Sequence, residues 1–222
     1  MVEYTWDIRL WPDVEKQILA LAELDPDLCD QITARIDMLS EYGPSLGRPI
    51  VDRIKGSTIH NMKELRADSV RILFVFDPKS RGILLVMVTS AATGEAGIRR
   101  RSRPQNSDFV NGRRVMTMSE KPVSWGSARA KLGRDPERVA AARHAAEAEV
   151  LAYQLVTLRK EADLTQTELS KTMGVSQRRV SAIEHGQLES FELDTIRKYV
   201  AALGGQVRVV ADFGDRSVTL AS

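Results

Sequence analysis

Disulfide chemistry is the first thing this chain lacks. Its single cysteine, Cys29, has no partner within the 222 residues, so an internal disulfide framework is excluded. Cys29 falls in the periodic stretch "DLCDQITARIDMLSEY" with no histidine nearby, which reads as a helix thiol rather than a nucleophile. Histidine is nearly as scarce: His60, His144 and His185 are scattered without metal-ligand spacing, and no metal or cofactor is implied. Long apolar runs are missing too. The longest, Ile83–Val88, is far short of a bilayer span, and residues 1–20 have no basic segment followed by an apolar one. A cytoplasmic protein with no membrane partner is expected. Net charge is only +2, so basicity is local, concentrated in "IRRRSRP" from Ile98 to Pro104.

What remains is ordinary globular composition, 43% hydrophobic and 28% charged, arranged in regions of different texture. "TWDIRLW" alternates as a strand. Pro12 opens "PDVEKQILALAEL" with helical spacing, and Asp25-Pro26 starts a second helix through about Tyr42. "YGPSLGRP" is loop, followed by strands at about Asn61–Arg66, Val70–Phe76 and Ile83–Val88, with "DPKSRG" connecting the last two. The order implies an α+β domain over 1–86, two helices on an antiparallel sheet. Residues 87–134 show no sustained period and read as a poorly ordered linker. Asp135-Pro136 then launches a long Ala- and Glu-rich helix, the start of a second domain over 135–222.

Within that domain, "LTQTELSKTMGVSQRRVSAIEHG" carries several agreeing signals. Thr165 and Glu168 form a capping box, Gly174 suits the positive φ of a tight turn, and Ser176 caps a second helix. Leu169, Met173, Val175, Val180 and Ile183 have the spacing that packs two short helices across that turn. The pattern resembles the helix-turn-helix of the Cro/phage-repressor (XRE) family over about Leu155–Leu203, with Ser170 where the family usually has alanine. The resemblance implies that Gln177, Arg178 and Ser181 face base edges from the recognition helix, with Arg179 on bases or phosphate. Glutamine can pair bidentately with adenine and arginine with guanine. Gln166 and Ser176 sit at helix N-termini, where phosphate is favoured. Leu193, Ile196, Val200 and Leu203 are expected to form a closing helix. A terminal hairpin, "QVRVVADF" and "DRSVTLA" around Gly214-Asp215, offers a strand edge for a homodimer. The implied partner is a double-stranded, pseudo-palindromic DNA operator.

The first region has its own resemblance. "EYGPSLGRPIVDRIKGSTIHNMKELR", then "VRILFVFDP" and "GILLV", is similar to the RelE/HigB toxins, in particular the phage-derived branch encoded beside an XRE-type antitoxin. Those proteins are small ribonucleases acting on messenger RNA, usually at the ribosome, through attack of a 2′-hydroxyl on the adjacent phosphate. Lys63, Arg66 and Arg71 match the family's basic strand positions. They either grip RNA phosphate or are surface charges paired with groups such as Glu64, and no acid or base can be assigned among them. After the strand ending at Val86 the toxin branch continues with Gly-Asp-Lys, Gly-Asn-Trp and Trp-Tyr before a C-terminal helix. Here Met87–Ile98 reads "MVTSAATGEAGI".

The resemblances together imply a repressor of a toxin–antitoxin module with an incomplete, inactive toxin-like front end. An active, self-inhibited ribonuclease is the alternative from another class. A third is an interaction protein that titrates a separate RelE/HigB-type toxin without binding DNA. The codons of Met87–Ile98, read two nucleotides later, admit the missing toxin residues in order. Residues 87 to about 115 then read as out-of-frame translation. Gly112-Arg113-Arg114 can be encoded by a purine-rich ribosome-binding sequence just before Met116 and Met118, either of which could start a free antitoxin.

Overall fold

The structure is a computed structural model that describes residues 6–77, 81–89, 109–110, 113–114, 121–186, 193–214 and 216–221. The basic run Ile98–Pro104, the tip of the "DPKSRG" connection and the two candidate start methionines lie outside the described residues. Among those described, no helix is long and apolar enough to cross a membrane. The chain divides into two compact units, Met1–Ala146 and Glu147–Ser222.

The first unit opens with strand β1 (Asp7–Leu10) and two helices, α1 (Pro12–Leu24) and α2 (Pro26–Tyr42). Both helices start on proline, and the Asp25 carboxylate accepts from the Leu28 amide at 3.1 Å to cap α2. A single 3-10 turn, Gly43–Ser45, leads to β2 (Val51–Arg53), β3 (Lys63–Ala67), β4 (Val70–Phe76) and β5 (Arg81–Thr89). Each of β2–β5 pairs antiparallel with the next, and β1 joins the free side of β5 in parallel. The expected antiparallel sheet is therefore mixed. Four strands in antiparallel succession leave the outer side of β5 open, and β1 fills it running the same way. The helices cover one face of this sheet, burying Ile8, Leu10, Val14, Ile18, Ile32, Ile36, Leu65, Ile72, Phe74 and Leu84. That contiguous apolar burial is the main stabilising term of the unit.

The expected linker at 87–134 needs correction at both ends. Strand β5 runs on to Thr89, because Met87, Val88 and Thr89 pair with Ile72, Arg71 and Val70. Two two-residue strands, β6 (Phe109–Val110) and β7 (Arg113–Arg114), pair with each other. Further on, β8 (Val123–Ser124) adds antiparallel to β1, giving the sheet order β2-β3-β4-β5-β1-β8. Helix α3 (Trp125–Leu132) follows, capped by Ser124, and buries Trp125, Ala128 and Leu132. Residues 123–132 are thus strand and helix, part of the first unit. The boundary between units falls inside the next helix, α4 (Pro136–Glu161).

The second unit takes the rest of α4, then α5 (Gln166–Met173), α6 (Gln177–Glu184) and α7 (Leu193–Ala202). A terminal hairpin follows, β9 (Val209–Asp212) against β10 (Ser217–Ala221). Its core is Leu155, Leu169, Val180, Ile183 and Tyr199, flanked by Leu164, Met173, Val175, Val200 and Leu203. The sequence pattern had placed most of these. The expected closing helix is α7, on which Leu193 is 41% exposed and Tyr199 supplies the buried ring.

Candidate nucleic-acid interface

Local signals set the two short helices. Thr165 Oγ1 accepts from the Glu168 amide at 3.2 Å, and Glu168 Oε2 accepts from the Thr165 amide at 2.8 Å, completing the capping box. The Thr165 amide and hydroxyl hold the Glu168 carboxyl below its usual range. Gly174 ends α5 in the left-handed region at φ 66°, where a side chain would be strained. Ser176 Oγ then accepts from the Arg179 amide at 3.2 Å and starts α6. Ser170 is buried at the family's small-residue position, and its hydroxyl donates to Thr167 O at 2.8 Å, so no polar atom is stranded there.

Helix α6 is amphipathic in the sense needed for groove reading. Val180 and Ile183 are buried while Ser176, Gln177, Arg178 and Arg179 are exposed. Ser181 is half-buried, and its hydroxyl lies 3.4 Å from His185 Nδ1. Gln166 does more than sit at a helix start. Its Oε1 accepts from Gln177 Nε2 at 2.6 Å, and its Nε2 donates to Glu184 Oε2 at 2.9 Å. One exposed glutamine at the start of α6 is therefore braced, through a second, by the carboxylate at the end of the same helix.

That carboxylate belongs to a group the sequence reading missed. Arg159 donates to Glu184 through Nε at 2.6 Å and Nη2 at 2.8 Å, and through Nη1 to Leu164 O at 2.6 Å. The Tyr199 hydroxyl donates to Glu184 Oε1 at 2.7 Å and lies 3.1 Å from Leu155 O. The Glu184 and Arg159 side chains are only 3% and 10% exposed. Burial opposes ionisation of Glu184, yet donation from Arg159, Gln166 and Tyr199 outweighs it, and the carboxyl lies below the usual range. Burial, and then the neighbouring carboxylate, push the Tyr199 hydroxyl up.

The three cations considered for RNA chemistry are not brought together. In β3 the register places Lys63 across from Phe74, on the helix-covered face, while Arg66 faces Arg71 on the other. The Lys63 ammonium lies 5.6 Å from the Phe76 ring centroid and donates to Pro44 O at 3.3 Å, and burial pushes its pKa down. Arg66 is engaged by Glu64 at 2.7 Å and Asp52 at 2.9 Å. Arg71 donates to the carbonyls of Asp68 at 2.6 Å and Val70 at 2.8 Å. Arg66 is thus ion-paired, whereas Lys63 and Arg71 bond backbone carbonyls, and a period-two strand cannot aim positions three apart the same way.

Comparison with known proteins assigns the two regions separately. The family described as phage derived protein Gp49-like matches residues 20–89, and a helix-turn-helix family matches residues 155–209. A toxin of Mycobacterium tuberculosis, HigB3, is 49% identical over 81 residues, 36% of this chain and 68% of that protein. An antitoxin of the same organism, HigA3, is 44% identical over 110 residues, 47% of this chain and 98% of that protein. The solved structure titled "DNA bound antitoxin HigA3" is 46% identical, covers 30% of this chain and 87% of that one, and has a TM-score of 0.28. This single chain belongs to two families at once, the HigB toxins through its front and the HigA antitoxins through its back.

Proposed function

We propose that the chain is a sequence-specific DNA-binding repressor of a toxin–antitoxin module, dimeric on its operator, with a toxin-like domain that does not cleave RNA. The observation that carries this reading is the exposed first turn of α6, with Gln177 braced by Gln166 and Arg178 and Arg179 beside it. Bidentate side chains held on a helix that buries its opposite face suit the major groove, whose base edges carry a distinct donor and acceptor pattern. The likeness to the antitoxin HigA3 over 98% of its length supports the same assignment. Dimerisation is assigned to the β9–β10 hairpin. An isolated pair of strands is marginal in water, and this one leaves Val210, Phe213, Val218 and Leu220 exposed at 40–65%.

The test is a gel-shift titration with promoter DNA and with random DNA. Gln177→Ala or Arg178→Ala should weaken promoter binding by about 1–3 kcal/mol and leave random-sequence binding almost unchanged. Raised salt should weaken both, because phosphate contacts release counterions. Equal loss on the two DNAs would remove the base-reading assignment.

The inactivity of the front domain is supported by the ion pairs that engage Arg66 and by Lys63 lying on the opposite face. Expression of the full chain should leave growth and messenger RNA intact. Growth arrest that Arg66→Ala relieves would restore the ribonuclease reading.

A further inference from the structure

The toxin-like sheet and helices are clasped by a segment that comes from the antitoxin side of the sequence. The antitoxin match spans 47% of this chain, more than residues 121–222 contain, so with the helix-turn-helix at 155–209 it takes in β8, α3 and the start of α4. In space those elements pack on α1, α2 and β1, within the first unit. Backbone pairing joins Val123 and Ser124 to Leu10 and Arg9 at the sheet edge. Trp125 is buried, and its Nε1 donates to Asp37 Oδ1 at 2.6 Å. Arg129 Nε reaches both oxygens of the same carboxylate at 2.9–3.0 Å.

A row of charges continues the contact. Lys131 pairs with Glu15 at 2.7 Å and Arg143 with Glu41 at 2.7 Å. Between them, Arg134 and Arg138 share Asp30, at 2.6 Å and 2.8 Å, and Arg138 also pairs with Asp27. The Asp30 side chain is 4% exposed. Its burial opposes ionisation, but hydrogen bonds from Arg134 and Arg138 hold the carboxyl below its usual range. Every cation of this set lies on the clasp, and every anion lies on α1 or α2. Such one-sided complementarity belongs to an interface between two proteins more than to a shared core, where signs are mixed within each element.

We propose that residues 123–143 are a toxin-binding clasp, transferable between chains, which recognises the open β1 edge and acidic α2 face of a HigB-type toxin domain and is here occupied by the chain's own. The mode is strand addition for affinity with an aromatic anchor and arginine–carboxylate pairs for specificity. Occupation in cis means that a separate toxin must compete with a tethered copy of its own surface, so capture is suppressed by the tether's effective concentration. This goes beyond DNA reading and does not rest on it.

Two full-length variants test the transfer. One breaks the clasp, Arg134→Glu with Arg138→Glu. The other breaks its seat, Asp27→Arg with Asp30→Arg. In an isotope-labelled clasp variant, the outer-edge amides of β1 should exchange with solvent faster than in the unaltered chain. Excess unlabelled seat variant, whose clasp is intact and homeless, should slow that exchange again by about tenfold. No recovery on mixing would show that the segment works only as an internal part of the fold and would overturn the proposal. Trp125→Ala is the milder clasp variant should the charge reversals unfold the domain. Combining both charge reversals in one chain should restore protection without a partner. Promoter binding is expected to be unchanged in all of these, so its loss with clasp behaviour intact would count against the proposed function alone.

Discussion

Glu184→Ala should unfold the helix-turn-helix unit selectively, at a cost of about 3–5 kcal/mol, because it leaves the Arg159 guanidinium buried without its counter-charge. The measurement has a built-in control. All three tryptophans, Trp6, Trp11 and Trp125, lie in the first unit, so their fluorescence follows that unit while far-ultraviolet dichroism follows both. In urea the variant should lose part of its helix signal early, with the tryptophan transition unmoved. Tyr199→Phe should cost less, about 1 kcal/mol, since one hydrogen bond is removed and the ring stays. Replacing Arg159 and Glu184 together with apolar residues of similar volume should recover much of the loss, because the unpaired charge, rather than the missing attraction, is the larger penalty. Early unfolding of both units together would refute the assignment.

The same carboxylate sets a pH dependence. Glu184 is held below the ordinary glutamate range in the folded chain, so the unfolded state binds the proton first as pH falls. Its contribution is complete above the unfolded value of about 4.3 and is lost as pH drops through the lower, folded value. Asp30 and Asp52 are depressed likewise, so the first unit should weaken over a similar acidic window. Tyr199 has no influence near neutrality, since burial pushes its hydroxyl upward from a value already far above it.

Sequence signals revealed what is local. Thr165 and Glu168 are three residues apart, and Gly174 and Ser176 bracket one turn, so each cap could be read directly and each is present. The buried ion pair could not be found that way. Arg159, Glu184 and Tyr199 are separated by 25 and 15 residues in turn, and each alone looks like a surface residue of a helix. Strand β8 failed for a different reason: two residues carry no alternation, and edge addition is decided by the strand already there. Helix α3 does carry a stripe, Trp125, Ala128 and Leu132, but eight residues with a glycine second are too short to show a sustained period. Charge alone groups Lys63 with Arg66, but strand parity places positions three apart on opposite faces. Most consequential is the mismatch of boundaries. The change of sequence character near 87–134 does not coincide with the structural division at 146/147, because the antitoxin-like segment folds onto the toxin-like one.

That mismatch has a genetic expectation behind it: the coding DNA should show two genes in different frames, joined by a shift near the codon for Met87. Read two nucleotides later, the codons of Met87-Val88 force glycine. Those of Val88-Thr89 permit aspartate, and Thr89-Ser90 permits lysine. Ala91-Ala92, Ala92-Thr93 and Thr93-Gly94 then permit Gly-Asn-Trp, and Ala96-Gly97 with Gly97-Ile98 permit Trp-Tyr. These are the residues that RelE/HigB-type toxins of the phage-derived branch carry there, in order. Register adds a physical reason to expect the aspartate. Val88 pairs with Arg71, so an acid at that position would stand directly across from a basic residue, a favourable cross-strand pair that the present valine does not make. The relatives agree on proportion, since the toxin is matched over 68% of its length and the antitoxin over 98%. Two observations test the shift. Sequencing the DNA should find the offset frame open through the Trp-Tyr codons, and a stop before them would end the idea. Deleting two nucleotides of the Met87 codon should then yield a complete toxin whose expression abolishes colony formation, while the unaltered gene leaves colonies intact. A separate antitoxin started at Met116 or Met118 should restore growth when co-expressed. It would carry residues 123–143 with no toxin-like domain attached, leaving the clasp open for the restored toxin.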